Sequence, residues 1–258
     1  MIAFEKYHGA GNDFVLIDNR SQHFPAIDRN TLIHLMCDRN FGIGADGLIL
    51  LEDHPEADFE MRYFNSDGHL SSMCGNGGRC AVAFAHKLGL IHQKTHFRVN
   101  GGHYSAQVLG KETVSLAMED VPSVEKKKTH CFLDTGSPHH VVFVPDVRSV
   151  DVVSEGRSIR YGTPYSEDGT NVNFVAPLND NQYAIRTYER GVEEETLACG
   201  TGAVAAALAI HATQQTTATS IQLEAPGGLL QVDFTPEGKG FTDIYLTGPA
   251  VFVFEGIF

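Results

Sequence analysis

Cys74-Gly-Asn-Gly-Gly-Arg-Cys-Ala-Val-Ala-Phe-Ala85 and Cys199-Gly-Thr-Gly-Ala-Val-Ala-Ala-Ala-Leu-Ala209 are two versions of one pattern, Cys-Gly-x-Gly followed by an alanine-rich apolar run. The sequence around them repeats too. GNDFVLID begins at Gly11 and GSPHHVVFV at Gly136, each the same number of residues ahead of its cysteine. A Gly-Gly pair follows each cysteine, Gly101-Gly102 in one case and Gly227-Gly228 in the other, at spacings that differ by one residue. Matches that recur in one order predict an internal duplication.

The runs Arg79–Leu88 and Ala203–Ala212 are apolar on nearly every face, so each predicts a helix buried on all sides rather than laid on a surface. Leu32, Leu35 and Met36 form the stripe of a more ordinary helix, with Asp28 and Asn30 as candidate caps. Much of the remainder alternates or runs apolar as strands do: Phe14–Asp18, Gly47–Glu52, Phe59–Asn65, Thr113–Met118, His140–Val144, Tyr183–Tyr188 and Leu229–Phe234, with turn clusters such as NSDG and LNDN between strands. A helix buried all round in a strand-rich half needs sheet about it. The expected fold is α+β, with two pseudo-symmetric domains, each a curved sheet or barrel wrapped around a central helix. The polar stretch Asp120–Thr129 marks the boundary, giving residues 1–120 and 121–248, with the final run 249–258 returning to the first half.

The net charge of −13 argues against general binding to nucleic acid or an anionic membrane. No segment has the apolar length of a membrane span, and the first residues lack the pattern of an export signal. Five dispersed cysteines suit a reducing compartment, so a cytoplasmic protein is expected. The oligomeric state is open, a homodimer included.

Each Cys-Gly-x-Gly sets a thiol just ahead of a helix N-terminus, whose N–H groups and partial positive charge favour an anion. A thiol there is expected to ionise readily and act as base or nucleophile. The glycines open the backbone of Gly75, Asn76, Gly200 and Thr201 to a carboxylate. If the duplicated halves face each other, one thiolate removes an α-proton and the opposite thiol returns one to the other face, which inverts a stereocentre. Cys37, Cys80 and Cys131 are read as buried apolar residues without chemistry. No zinc site is expected, because no further ligands complete one around Cys74 and Cys80. GIGADG (Gly42–Gly47) fits a dinucleotide pattern, but it follows a helical stretch rather than a strand and fails on context.

YHGAGNDF, FNSDG, MCGNGGRC, TYERGVEEETLACGTG and the late PGG, spread from Tyr7 to Gly228, resemble the diaminopimelate epimerase family. The resemblance implies a cofactor-independent isomerase that interconverts LL- and meso-2,6-diaminopimelate for lysine and peptidoglycan synthesis, with no metal and a small molecule as partner. It implies Cys74 and Cys199 as the catalytic pair, and Gly75, Asn76, Gly200 and Thr201 as the cradle of the reacting carboxylate. Asn12, Asn65 and Asn173 match substrate-binding asparagines, and Arg190 matches the residue that grips the far carboxylate. Glu189 matches a residue that binds the amino group and supports proton transfer, and His139 one that assists ionisation of a thiol. The Glu193–Glu195 run is read as a solvated loop. Two positions depart from the family pattern: Ser137 stands where asparagine is usual, and Gly47 where many relatives carry glutamine, both expected to touch substrate. The rival readings are a same-fold epimerase or racemase with another amino-acid substrate and a redox-sensitive small-molecule-binding protein.

Overall fold

The computed structural model describes residues 1–258, and its contacts separate into Met1–Leu116 with Gly248–Phe258, and Ala117–Thr247. The first unit runs β1 (Ala3–Gly9), β2 (Asn12–Asp18), α1 (Arg29–Cys37), β3 (Gly47–Glu52), β4 (Phe59–Asn65), α2 (Gly75–Lys87), β5 (Lys94–Val99), β6 (Gly102–Gly110) and β7 (Thr113–Ala117). The second runs β8 (Glu125–Lys126), β9 (Cys131–Asp134), β10 (Pro138–Phe143), α3 (Val152–Tyr161), β11 (Asn171–Asn179), β12 (Gln182–Glu189), β13 (Glu194–Thr196), α4 (Gly200–Ala212), β14 (Ser220–Ala225), β15 (Gly228–Glu237) and β16 (Gly240–Pro249). The last strand, β17 (Val251–Ile257), pairs antiparallel with β1 and so completes the first unit.

The duplication is written in the strand pairings. From β1 to β7 neighbours alternate antiparallel, parallel, antiparallel, parallel, then antiparallel twice. Leaving out the short β13, the series from β9 to β16 is the same. In each unit a helix lies between the fourth strand and its parallel neighbour, as a parallel connection requires.

Those two helices are the cores of their units. α2 packs on β1, β2, β3, β4 and β6 and buries Asn76 through Val82 with Phe84 and Ala85. α4 packs on β9 to β12, β14 and β15 and buries Gly200 and Gly202 through Ile210. Small side chains let the sheet approach closely: a Cβ on Gly77 would sit 3.2 Å from Ile49 and 3.3 Å from Met61. Both helices start at the glycine after the cysteine, earlier than the apolar runs alone predict. Glycine is a weak helix former, by about 1 kcal/mol relative to alanine, and enclosure by the sheet overrides that preference.

A second helix covers the outer face of each sheet. β3 is buried on both faces, which is why GLILLE reads as a continuous apolar run. Leu48 and Leu50 join Ile33, Met36 and Cys37 of α1 in one cluster, while Ile49 faces α2. The stripe expected on α1 is therefore shifted. Ile33, Met36 and Cys37 are its buried face, Leu32 packs at the edge of the cluster, and Leu35 is exposed. Asp28 is the N-cap residue but its side chain makes no capping bond, and Asn30 lies inside the helix. The helix α3 was not expected from the sequence. Only Val152 and Gly156 on it are buried, too few to give a periodic signal, although Asp151 caps it by accepting from Ser154 N at 3.1 Å. No helix is long and apolar enough to cross a membrane.

Candidate active site

Cys74 and Cys199 are the N-cap residues of α2 and α4, with backbone angles of φ −113°, ψ 121° and φ −112°, ψ 115°. The first helical bonds run from Gly78 N to Cys74 O at 2.7 Å and from Ala203 N to Cys199 O at 2.9 Å. The amides of residues 75–77 and 200–202 thus precede their ladders, and neither cysteine side chain caps its helix. Such an end attracts negative charge. The two motifs are the same local structure built twice.

In the first unit the Cys74 thiol donates to Asn12 Oδ1 at 3.6 Å. Asn76 Nδ2 donates to that same oxygen at 3.2 Å. Asn12 Nδ2 in turn donates to Asp46 Oδ2 at 2.7 Å. Asp46 also accepts from Arg39, which pairs with Asp13; Asp13 is 2.7 Å from the buried Lys6. Burial alone would raise the Asp13 carboxyl, yet hydrogen bonds from Arg39 and Lys6 hold it down at about 2. Asn65 ends β4 as an exposed residue in register with Gly47 and is not joined to the Asn12–Asn76 group.

In the second unit Asn173 is the hub. It is fully buried, its Nδ2 lies 3.0 Å from His139 Nδ1 and 3.4 Å from the His140 carbonyl oxygen, and its Oδ1 accepts from Thr187 at 3.0 Å. The carbonyl can only accept, so the Asn173 NH2 points this way and His139 Nδ1 is an acceptor. The ring proton of His139 is then on Nε2. That atom is buried without a partner. Burial, and then the charge of Arg190, push the imidazole down to about 3, so His139 is neutral near pH 7 and polarises as an N–H donor rather than as a cation. Cys199 Sγ is 3.5 Å from the Thr201 hydroxyl. A Cβ on Gly202 would meet Asn173 Oδ1 at 2.4 Å and Cys199 Sγ at 3.3 Å, which ties the hub to the thiol.

Arg190 is exposed and placed from two sides. Its N–H donates to Asn171 Oδ1 at 2.8 Å, and its guanidinium donates to the Asp168 carbonyl at 3.0 Å. Glu189 precedes it at the end of β12, in register with Glu194. The expectation of a solvated loop at Glu193–Glu195 is corrected. Glu194–Thr196 is strand β13, Glu195 binds Arg186 through both carboxylate oxygens at 2.7 Å, and Glu193 pairs with Arg160 at 3.1 Å. Both carboxylates meet arginines on other elements of the chain, contacts that local sequence does not reveal. Cys37, Cys80 and Cys131 are buried, and desolvation pushes the first two thiols up to about 12 and raises the third.

The family model for diaminopimelate epimerase matches residues 4–124 and 131–253. Among its relatives, the diaminopimelate epimerase of Flavobacterium psychrophilum is 52% identical, over 97% of this chain and 97% of the relative. That of Chlorobaculum tepidum is 44% identical, over 96% of this chain and 98% of the relative. The chain belongs to the diaminopimelate epimerase family. Solved structures share the fold at low identity. A PhzF-family phenazine biosynthesis protein of Bacillus anthracis has a TM-score of 0.73 at 14% identity, covering 100% of this chain and 99% of its own. A hydroxyproline epimerase of Agrobacterium vitis has a TM-score of 0.67 at 15% identity, covering 99% and 91%.

Within this family member, no side chain fits at Gly47. A Cβ there would lie 2.5 Å from the Phe64 carbonyl oxygen and 2.5 Å from the Tyr63 ring, so the ring fills the space. Ser137 stands just before β10, where its carbonyl accepts from Thr135 N at 3.1 Å. Sequence reasoning missed Asp46, Arg79 and Asn171. Arg79 carried a signal: a lone arginine in an apolar helix has to be buried with partners.

Proposed function

We propose that this diaminopimelate epimerase family member interconverts LL- and meso-2,6-diaminopimelate through two cysteine bases and no cofactor. The observation that carries the reading is the pair of cysteines, Cys74 and Cys199, in matching backbone geometry at two uncapped helix N-termini. A thiolate at one of them takes the α-proton. The electron pair left on the α-carbon delocalises into the adjacent carboxylate, and the amides of Gly75, Asn76, Gly200 and Thr201 stabilise the charge that develops there. The thiol of the other cysteine delivers its proton to the opposite face. The C–H bond broken and the C–H bond formed balance, and the two sulfurs exchange protonation states. The reading requires the two cysteines to address opposite faces of one α-carbon.

Asn12, Asn65, Asn76 and Asn173 are assigned to the substrate's polar groups. Arg190 is assigned to the distal carboxylate, where its forked guanidinium suits a planar anion. Glu189 is assigned to the amino group and to support of proton transfer. His139 is assigned an assisting role, and its buried Nε2–H without a protein acceptor supports this, since a buried donor is costly unless a thiolate or substrate oxygen completes it. Working thiols need reducing surroundings, in keeping with five dispersed cysteines, and a cytoplasmic site is proposed on that ground. A homodimer is the assembly to be tested by sedimentation.

Incubation of the reduced protein with LL-diaminopimelate in heavy water tests the reading. Formation of meso product with deuterium at one α-carbon is the expected result. No exchange with thiols shown to be free, but turnover of another amino acid, would reassign the substrate.

A further inference from the structure

The amide of Asn12 is poled. Arg79 is wholly buried and its Nη2 donates to Asn76 Oδ1 at 2.9 Å; a guanidinium has only donors, so the Asn76 oxygen must face it. The NH2 of Asn76 then faces Asn12, whose oxygen must accept. At the far end Asp46 offers only acceptors, so the Asn12 NH2 must face the carboxylate. Both ends dictate the same orientation, and it turns Asn12 Oδ1 toward the Cys74 sulfur. A carbonyl oxygen there welcomes an S–H and opposes a bare thiolate. Cys199 has the Thr201 hydroxyl instead, which can turn to donate or accept.

We propose that Asp46 and Arg79 are positioning residues that hold the Asn12 carbonyl against Cys74 from opposite ends of the Asn12–Asn76 pair, so that Cys74 rests as the thiol and is the proton donor of the free enzyme. Cys199 is then the resting base. This rests on the reading of Cys74 and Cys199 as the two bases. Within its own unit, Arg79 and Cys80 on the same helix lie about Cys74 and, behind Asn12, Asp46 with Arg39, Asp13 and Lys6. Asp46 is the member to alter, because its side chain is 44% exposed and replacing it leaves the core intact.

The test is alkylation by iodoacetamide between about pH 5 and 10, a span that brackets the ordinary cysteine range, read separately for the Cys74 and Cys199 peptides by mass spectrometry. Asp46→Ala leaves the Asn12 carbonyl held from the Asn76 end alone, so it stands less firmly against the sulfur, and the Cys74 midpoint falls by up to about one pH unit while that of Cys199 stays. Asp46→Asn retains one acceptor and gives a smaller fall, and Asp46→Glu restores the parent midpoint. The fall persists in about 1 M salt, where the Debye length is about 3 Å and loss of the exposed charge alone no longer counts. An unchanged Cys74 midpoint in both Asp46→Ala and Asp46→Asn overturns the proposal. So does a shift abolished by salt, or one shared equally by Cys199. The assay needs no substrate, so its failure leaves the epimerase reading standing, and failure of deuterium exchange leaves the midpoint result standing.

Discussion

Asn173 Nδ2 lies 3.0 Å from His139 Nδ1, with both side chains fully buried in the second unit. One hydrogen bond thereby decides the tautomer of a histidine that burial keeps neutral. Asn173 also accepts from Thr187, so its removal strands two polar groups.

Asn173→Ala is expected to destabilise the protein by about 2 kcal/mol, within the range for leaving buried polar groups unsatisfied. Urea denaturation measures this. A loss of only a few tenths would mean that the hub is not needed for the fold.

The buried histidines set the pH dependence of stability. Folding holds His139 down at about 3 and His140 at about 4, each chiefly by burial, against an unfolded value near 6.5. The unfolded chain therefore binds more protons as pH falls. The stability attached to these neutral rings is complete above about pH 6.5 and is lost from there down toward the folded values. Denaturation midpoints are expected to fall steadily between about pH 6.5 and 4, with a slope of up to about 1.4 kcal/mol per pH unit per histidine. His139→Gln and His140→Gln would flatten the profile if these rings are responsible.

Asp13 acts in the same direction but lower. Its folded value of about 2 lies below the ordinary value of 3.8, so its contribution is present above the unfolded pKa and disappears as pH falls through the folded one. It amounts to about 2 kcal/mol. Asp13→Asn is expected to remove it near neutral pH while leaving stability below about pH 2 unchanged, as thermal melts across acid pH will show.

Replacing either Cys74 or Cys199 with alanine is expected to reduce inversion at least about 1,000-fold, as loss of a positioned proton-transfer group does. α-Proton exchange followed by mass spectrometry is the measurement. Near-normal turnover in either variant would refute two-base chemistry.

Gly202→Ala puts a methyl group 2.4 Å from Asn173 Oδ1 and 3.3 Å from Cys199 Sγ. The displacement that follows is expected to lower kcat by about 100-fold, because the sulfur and the hub shift together. Steady-state kinetics with the thiols titrated would show it.

Much of this arrangement was legible before folding. Both Cys-Gly-x-Gly motifs, the apolar helices after them and strands such as Gly47–Glu52 and Phe59–Asn65 come from patterns a few residues long, and local chemistry governs those: glycine marks turns and close approaches, and unbroken apolar runs mark enclosure. Helix α3 was not legible, since only two of its residues are buried. The phase of the α1 stripe was not either, because which of Ile33 or Leu35 turns inward depends on where β3 lies beneath the helix. The sequence by itself determined that two thiols stand at two duplicated helix starts, because a cysteine followed by glycines and an alanine run has few other local solutions. Only the tertiary structure decided that Asp46 and Arg79 orient the amide beside Cys74, that His139 is a neutral donor, and that Glu193 and Glu195 answer arginines. Hydrogen-bond direction and proton affinity are set by groups distant in the chain and adjacent in space, and strand pairing brings those groups together.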